Sequence, residues 1–114
     1  MSKVIKVRVT RSDFRKAIKE IKDGSVCMKC VVAQAAIRLG LGNFVGYNGS
    51  IGTSINQYSA DYKFRPINDN ARNLVRVFDS RISYEPNEEL HPKADDLYKE
   101  LRQEGLLNLE YVPE

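Results

Sequence analysis

The chain has 114 residues, 42% of them hydrophobic, with 18 Lys or Arg against 15 Asp or Glu and a net charge of +3. That length suits one packed core and excludes two. No window approaches the ~18 continuous apolar residues of a membrane span, and the first ten residues alternate cations with Val and Ile, so the expectation is a cytoplasmic protein without membrane contact.

The charge is unevenly spread. Residues 1–81 hold 15 basic and 6 acidic side chains, and residues 82–114 hold 3 and 9. Exposed charges act over a Debye length of ~10 Å at moderate salt, so a basic body attracts anions while an acidic end limits indiscriminate adhesion. The expected partner is anionic, a nucleic acid or a nucleotide. A homo-oligomer is compatible with the same composition.

In chain order, Ile5, Val7 and Val9 alternate with Lys6, Arg8 and Thr10 and predict a half-buried strand with a basic outer face. Phe14, Ala17, Ile18 and Ile21 then follow helical spacing, with Thr10 or Ser12 as cap and Gly24 as stop. The solvent face of that helix gathers Arg11, Arg15, Lys16, Lys19 and Lys22. A second helix is expected from Ser25 to Leu39, apolar almost all round and therefore central. Its one polar stripe, Cys27, Cys30, Gln34 and Arg38, is where it would meet a polar ligand.

Asn48-Gly49, set between two apolar arms, predicts a hairpin with a type I′ turn. Gly46 and Gly52 inside the arms imply a bulge or a close backbone approach. Tyr58 to Pro66 reads as irregular, ending in a short strand at Tyr62 to Phe64. Asp69 or Asn70 caps a third helix through Ala71, Leu74, Val75 and Phe78, with Arg72 and Arg76 outward. Ile82 and Tyr84 suggest a short strand. A last helix is expected with Pro92 at its first position, running through Leu97 and Leu101 to Gly105, and then a strand through Leu107, Leu109 and Tyr111. The fold class that follows is α+β, one domain with a mainly antiparallel sheet, a basic core over 1–86 and an acidic helix and strand over 87–114.

Cys27-Met28-Lys29-Cys30 is the sharpest local motif. A thiol in the first turn of a helix, near Lys29 and Arg38, is physically suited to thiol exchange or metal ligation. Zinc in a closed site takes four ligands, however, and the chain offers only His91 as a further soft one. Small core residues are the expected role, and no cofactor or metal is called for. His91 has no neighbouring nucleophile or triad spacing, and the pairs Glu88-Glu89 and Asp95-Asp96 read as solvated surface. The glycines around Asn48 lack both the Lys-Ser/Thr ending of a P-loop and the strand-to-helix setting of a dinucleotide fingerprint. Tyr47 and Tyr58 can stack on bases, and with Arg15, Lys19, Arg38, Arg65, Arg72 and Arg76 they make the candidate ligand-binding set.

Val7-Arg8-Val9-Thr10, the run from Cys27 to Ala35 and Val77-Phe78-Asp79 together resemble a group of small phage and actinobacterial proteins of unassigned function. Their pattern is a Val-x-Val-Thr strand, a Cys-x-x-Cys-Pro-Val-Ala-x-Ala helix and a helix ending in Phe-Asp. The resemblance covers about residues 4 to 86, has Val31 where the group has proline, and leaves the segment after Pro86 as an addition. It implies no activity, only a phage-like setting in which small proteins act by binding. The expectation is a non-enzymatic accessory or anti-defence binding protein. Two alternatives stand beside it: a thiol-redox or zinc-linked module at Cys27 and Cys30, and a nucleic-acid mimic that uses the acidic tail.

Overall fold

A computed structural model describes residues 3–20, 30–56, 59–83 and 93–114. Its elements in chain order are β1 (Ile5–Arg8), α1 (Arg11–Glu20), α2 (Val31–Arg38), β2 (Phe44–Val45), β3 (Ile51–Asn56), β4 (Ser59–Pro66), α3 (Asn70–Ser83), α4 (Ala94–Gln103) and β5 (Asn108–Pro113). The five strands form one antiparallel sheet in the order β1-β5-β4-β3-β2. The fold is α+β and a single domain.

The sheet curls because β1 and β2, its opposite edges, both pack on α2. This explains the composition of α2: from Val31 to Ala36 every residue is buried, since sheet edges, α1 and α3 surround the helix. Val7, Val45, Ile51, Leu109 and Tyr111 supply the sheet's inner face. Phe14 links the helices, its ring 6.4 Å from Phe78 on α3 and 5.8 Å from Tyr98 on α4, edge-on to each.

The end of β1 leads into a reciprocal cap. Thr10 Oγ1 accepts a hydrogen bond from the Asp13 amide (3.3 Å), and Asp13 Oδ2 accepts one from the Thr10 amide (2.9 Å). Gly40 and Gly105, both with positive φ, end α2 and α4, each followed by an amide that bonds back to the last turn, Leu41 to Ala36 and Leu106 to Leu101.

Several boundaries differ from the sequence expectation. Cys30 is the extended residue before α2, with φ −65° and ψ 169°, so it does not sit in the first turn of a helix begun at Ser25. Residues 21–29, with Gly24, Ser25 and Cys27, lie outside the described residues, as do Tyr58, Tyr84, His91 and Pro92. Ile82 is helical: it repeats the buried face of α3 one turn after Phe78, and that periodicity outweighs its strand-like pattern with Tyr84. α4 begins at Ala94 after an extended Lys93.

The hairpin forms with a different turn. Gly49 donates to the Gly46 carbonyl (2.9 Å) and Gly46 to the Ser50 carbonyl (3.0 Å), so the central residues are Tyr47 and Asn48, and only Gly49 has positive φ, +89°. A type I′ turn would need positive φ at Asn48 as well; a three-residue loop closed by a left-handed glycine needs it once.

β4 is an eight-residue strand, not an irregular segment with a short end. It bonds to β3 on one side and β5 on the other, and that pairing supplies the order its mixed composition does not advertise. Its pairing with β3 shifts register between the pairs Ile51–Phe64 and Gly52–Tyr62, which leaves Lys63 as a bulged residue. Here Gly52 answers its sequence expectation: a Cβ on it would lie 2.5 Å from the Asp61 carbonyl oxygen.

The C-terminal strand is no appendage. β5 lies between β1 and β4, so the acidic end of the chain holds the basic body's first strand to the rest of the sheet.

Candidate functional site

The sequence-derived cations divide into two groups. Arg15 and Arg38 are engaged by the protein's own carboxylates. Arg15 makes a bidentate pair with Asp95 of α4, Nε to Oδ1 at 2.9 Å and Nη2 to Oδ2 at 3.0 Å. This hydrogen bond holds the Asp95 carboxyl below its ordinary range. Arg38 donates from Nε and Nη2 to the two oxygens of buried Asp13 (3.1 Å each) and from Nη2 to the Arg8 carbonyl (2.8 Å). Gln34, in the same stripe of α2, donates to Glu20 at 3.1 Å. The stripe expected to meet a ligand therefore meets α1. Lys19 is exposed in the last turn of α1, one helical turn after Arg15.

Arg65, Arg72, Arg76 and Tyr47 form the second group. The hairpin tip is fixed first: the buried Tyr111 hydroxyl of β5 donates to the Gly49 carbonyl at 2.7 Å. Burial, reinforced by Cys30, pushes that phenol well above its usual range and keeps it a donor. Gly49 also touches the start of α3 so closely that a Cβ would lie 2.7 Å from that of Ala71. Asn48 Oδ1 accepts from the Ser50 amide at 3.0 Å and stiffens the turn.

The chain leaving β4 is fixed next. Ile67 donates to the Glu110 carbonyl (3.0 Å), Asn68 Oδ1 accepts from the Asn70 amide (3.1 Å), and Asn70 Nδ2 reaches the Asn108 carbonyl (3.0 Å). The Asp69 carbonyl then accepts from Asn73 and starts α3, so Asp69 is the cap foreseen.

Between tip and helix lies an open cleft of about 270 Å³, lined by Asn48, Arg65, Asn68, Asp69 and Arg72 among others. Among the described residues, neither arginine has a carboxylate partner. Guanidinium groups offer paired donors that match phosphate or carboxylate oxygens. The N-terminus of α3 adds positive potential, and among the described residues Asp69 is the one carboxylate in the wall. Arg76 follows Arg72 by one helical turn on the exposed face. Tyr47, beside Asn48 at the tip, is 78% exposed, an unusual state for an aromatic side chain.

A second cationic cleft, about 330 Å³, escaped the sequence reading. It is lined by Arg8, Tyr98, Arg102, Gly105 and Asn108 and, among the described residues, by no carboxylate. Arg8 was visible only as one cation on a strand, and Arg102 only as one on an acidic helix. Nothing in their spacing shows that β5 brings β1 and the end of α4 together.

Cys30 is buried in the core, and Cys27 lies outside the described residues. Among the described residues no three His, Cys, Asp or Glu side chains gather as a metal cluster, and no helix is long and apolar enough to cross a membrane. Comparison with protein-family models, with curated proteins and with solved structures gives no match, so function is read from the geometry alone.

Proposed function

We propose that this is a non-enzymatic binding protein whose ligand carries phosphate, a nucleic acid or a nucleotide, held in the cleft between the hairpin tip and α3. The observation that carries this reading is one cleft lined by Arg65 and Arg72, neither with a carboxylate partner among the described residues, and by Asn48, next in the chain to the exposed Tyr47 on a turn pinned by Tyr111 and Ala71. Guanidinium groups hold phosphate, and an exposed ring stacks on a base whatever its sequence. A site on a pinned loop loses little freedom on binding.

Two observations support this over the alternatives. The acidic α4 has Asp95 committed to Arg15 and Glu100 to Arg81, which leaves fewer carboxylates for imitating nucleic acid. Cys30 packs in the core, where thiols are inert. The resemblance to small phage-type proteins supplies a setting: an accessory protein that competes for nucleic acid with a host defence protein.

The test is titration of a labelled oligothymidylate and of mononucleotides at low and moderate salt, with Arg65→Glu/Arg72→Glu alongside. The double variant should bind at least about tenfold more weakly, the equivalent of ~1.4 kcal/mol, with an unchanged melting curve, since exposed charge changes move stability by less than ~0.5 kcal/mol. Equal binding by both proteins would refute the site.

A further inference from the structure

The second cationic cleft stands on the other side of β5 from the first. Arg8 and Arg102 line it with Tyr98, and Arg11 lies over the Tyr98 ring, its guanidinium carbon 5.1 Å from the centroid. That contact holds a third arginine beside the cleft. Among the described residues, none of the three has a carboxylate partner. Arg8 and Arg102 face one cleft with no acid, among the described residues, in its wall, and an incoming anion relieves their mutual repulsion; Arg11 also feels the Asp95 carboxylate.

The second cleft continues along the outer face of β1 and β5. A shallower cleft of about 500 Å³, lined by Lys6, Arg8, Asn108 and Glu110 among others, shares Arg8 and Asn108 with the second cleft. In the register, Arg8 lies opposite Asn108 and Lys6 opposite Glu110 on one side of β5, while Arg65 lies opposite Val112 on the other. Lys6, Arg8, Arg65 and Asn108 are exposed and alternate with the inward Val7, Leu109 and Tyr111, while Val112 between them is itself buried. With strands ~4.8 Å apart and a rise of ~3.4 Å per residue, the backbones at Arg8 and Arg65 are ~17 Å apart. One phosphate cannot touch both; a chain of phosphates can.

We propose that the cleft at Arg8 and Arg102 is a second phosphate-binding site, and that the ligand is a single-stranded nucleic acid running across β5 from one cleft to the other. This rests on the reading of the first cleft given above. A single strand fits better than a duplex because it can follow a curled sheet and offer an unpaired base to Tyr47. Glu110 is the acid on the path, opposite Lys6, and it opposes the strand.

The experiment measures binding of a thymidine dinucleotide, a dodecathymidylate and a duplex of the same length by fluorescence anisotropy. The parent should bind the dodecamer at least about tenfold more tightly than the dinucleotide, as two linked contacts require. Arg8→Glu/Arg102→Glu should erase that gain and leave dinucleotide binding unchanged, whereas Arg65→Glu/Arg72→Glu should weaken both. Glu110→Gln, which removes a charge without changing side-chain shape, should tighten the dodecamer alone. Parent-like dodecamer binding by Arg8→Glu/Arg102→Glu would overturn the second site and leave the first standing. Loss of binding in that variant but not in Arg65→Glu/Arg72→Glu would overturn the bridging path together with the first reading. Equal affinity for duplex and single strand would overturn the choice of ligand.

Discussion

Asp13 shows how much one carboxylate can organise. It caps the Thr10 amide and receives two hydrogen bonds from Arg38, whose guanidinium also holds the Arg8 carbonyl, so one buried charge ties the end of β1 to α1 and α2. Removing Arg38 leaves Asp13 buried with only the capping bond. Because Arg38 is itself partly exposed, Arg38→Ala should cost about 2–3 kcal/mol, below the 3–5 typical of fully buried pairs, and thermal unfolding would show it as a drop of ~10 °C. A melting point near the parent's would return Arg38 to the ligand-binding set. The Arg15–Asp95 pair makes a separate prediction about pH. Since the Asp95 carboxyl is held below its ordinary range by the Arg15 hydrogen bond, its contribution to stability is complete above the unfolded value, ~3.9, and fades as pH falls through the folded one. NMR titration should place Asp95 below the unfolded reference, and Arg15→Met should move it back up. Tyr111→Phe removes the donor from the Gly49 carbonyl. It should cost ~1–2 kcal/mol and loosen the hairpin tip, so oligonucleotide affinity should fall with stability in this variant and not in the arginine variants.

α2 is the most legible element: its stop at Gly40 falls where expected, and only its beginning, at Val31, differs. Its run of Val and Ala announces burial on all sides, and Ala35→Asp, which forces an unpaired charge among sheet edges and helices, should cost ~3–5 kcal/mol. Denaturant unfolding that leaves the midpoint unchanged would contradict its central position. What the run could not announce is its beginning, because Cys30 is as buried as the helical residues after it and differs only in backbone angles. Helices with an apolar stripe and a glycine stop, such as α4 with Gly105, could be read from periodicity. β4 could not, since its outward positions are Ser59, Asp61, Lys63 and Arg65 and its inward ones are only half-buried, so its side chains look like those of a loop. The turn escaped for a similar reason: Asn48-Gly49 fits two hairpin loops, and the choice between them depends on which carbonyl Gly49 bonds.

Topology decides the charge arrangement of the whole molecule, and topology is the level least visible in the sequence. The division into basic body and acidic end suggested an end that could be set apart, yet β5 lies inside the sheet, and α4 places Asp95 and Glu100 on Arg15 and Arg81. The acidic segment therefore neutralises one part of the basic surface and leaves the arginines around β5 uncovered. Arg65, Arg72 and Arg76 were legible as a site because they are neighbours in sequence; Arg8 and Arg102 were not, being joined only through β1, β5 and α4. The central claim, that the cleft at Arg65 and Arg72 holds phosphate, is tested most directly by the salt dependence of oligothymidylate binding in the parent and in Arg65→Ala/Arg72→Ala. Each phosphate contact on a single strand contributes ~0.7 to the slope of log affinity against log salt. The double variant should therefore bind more weakly, with a slope shallower by ~1.4; the same affinity and slope in both proteins would contradict the account.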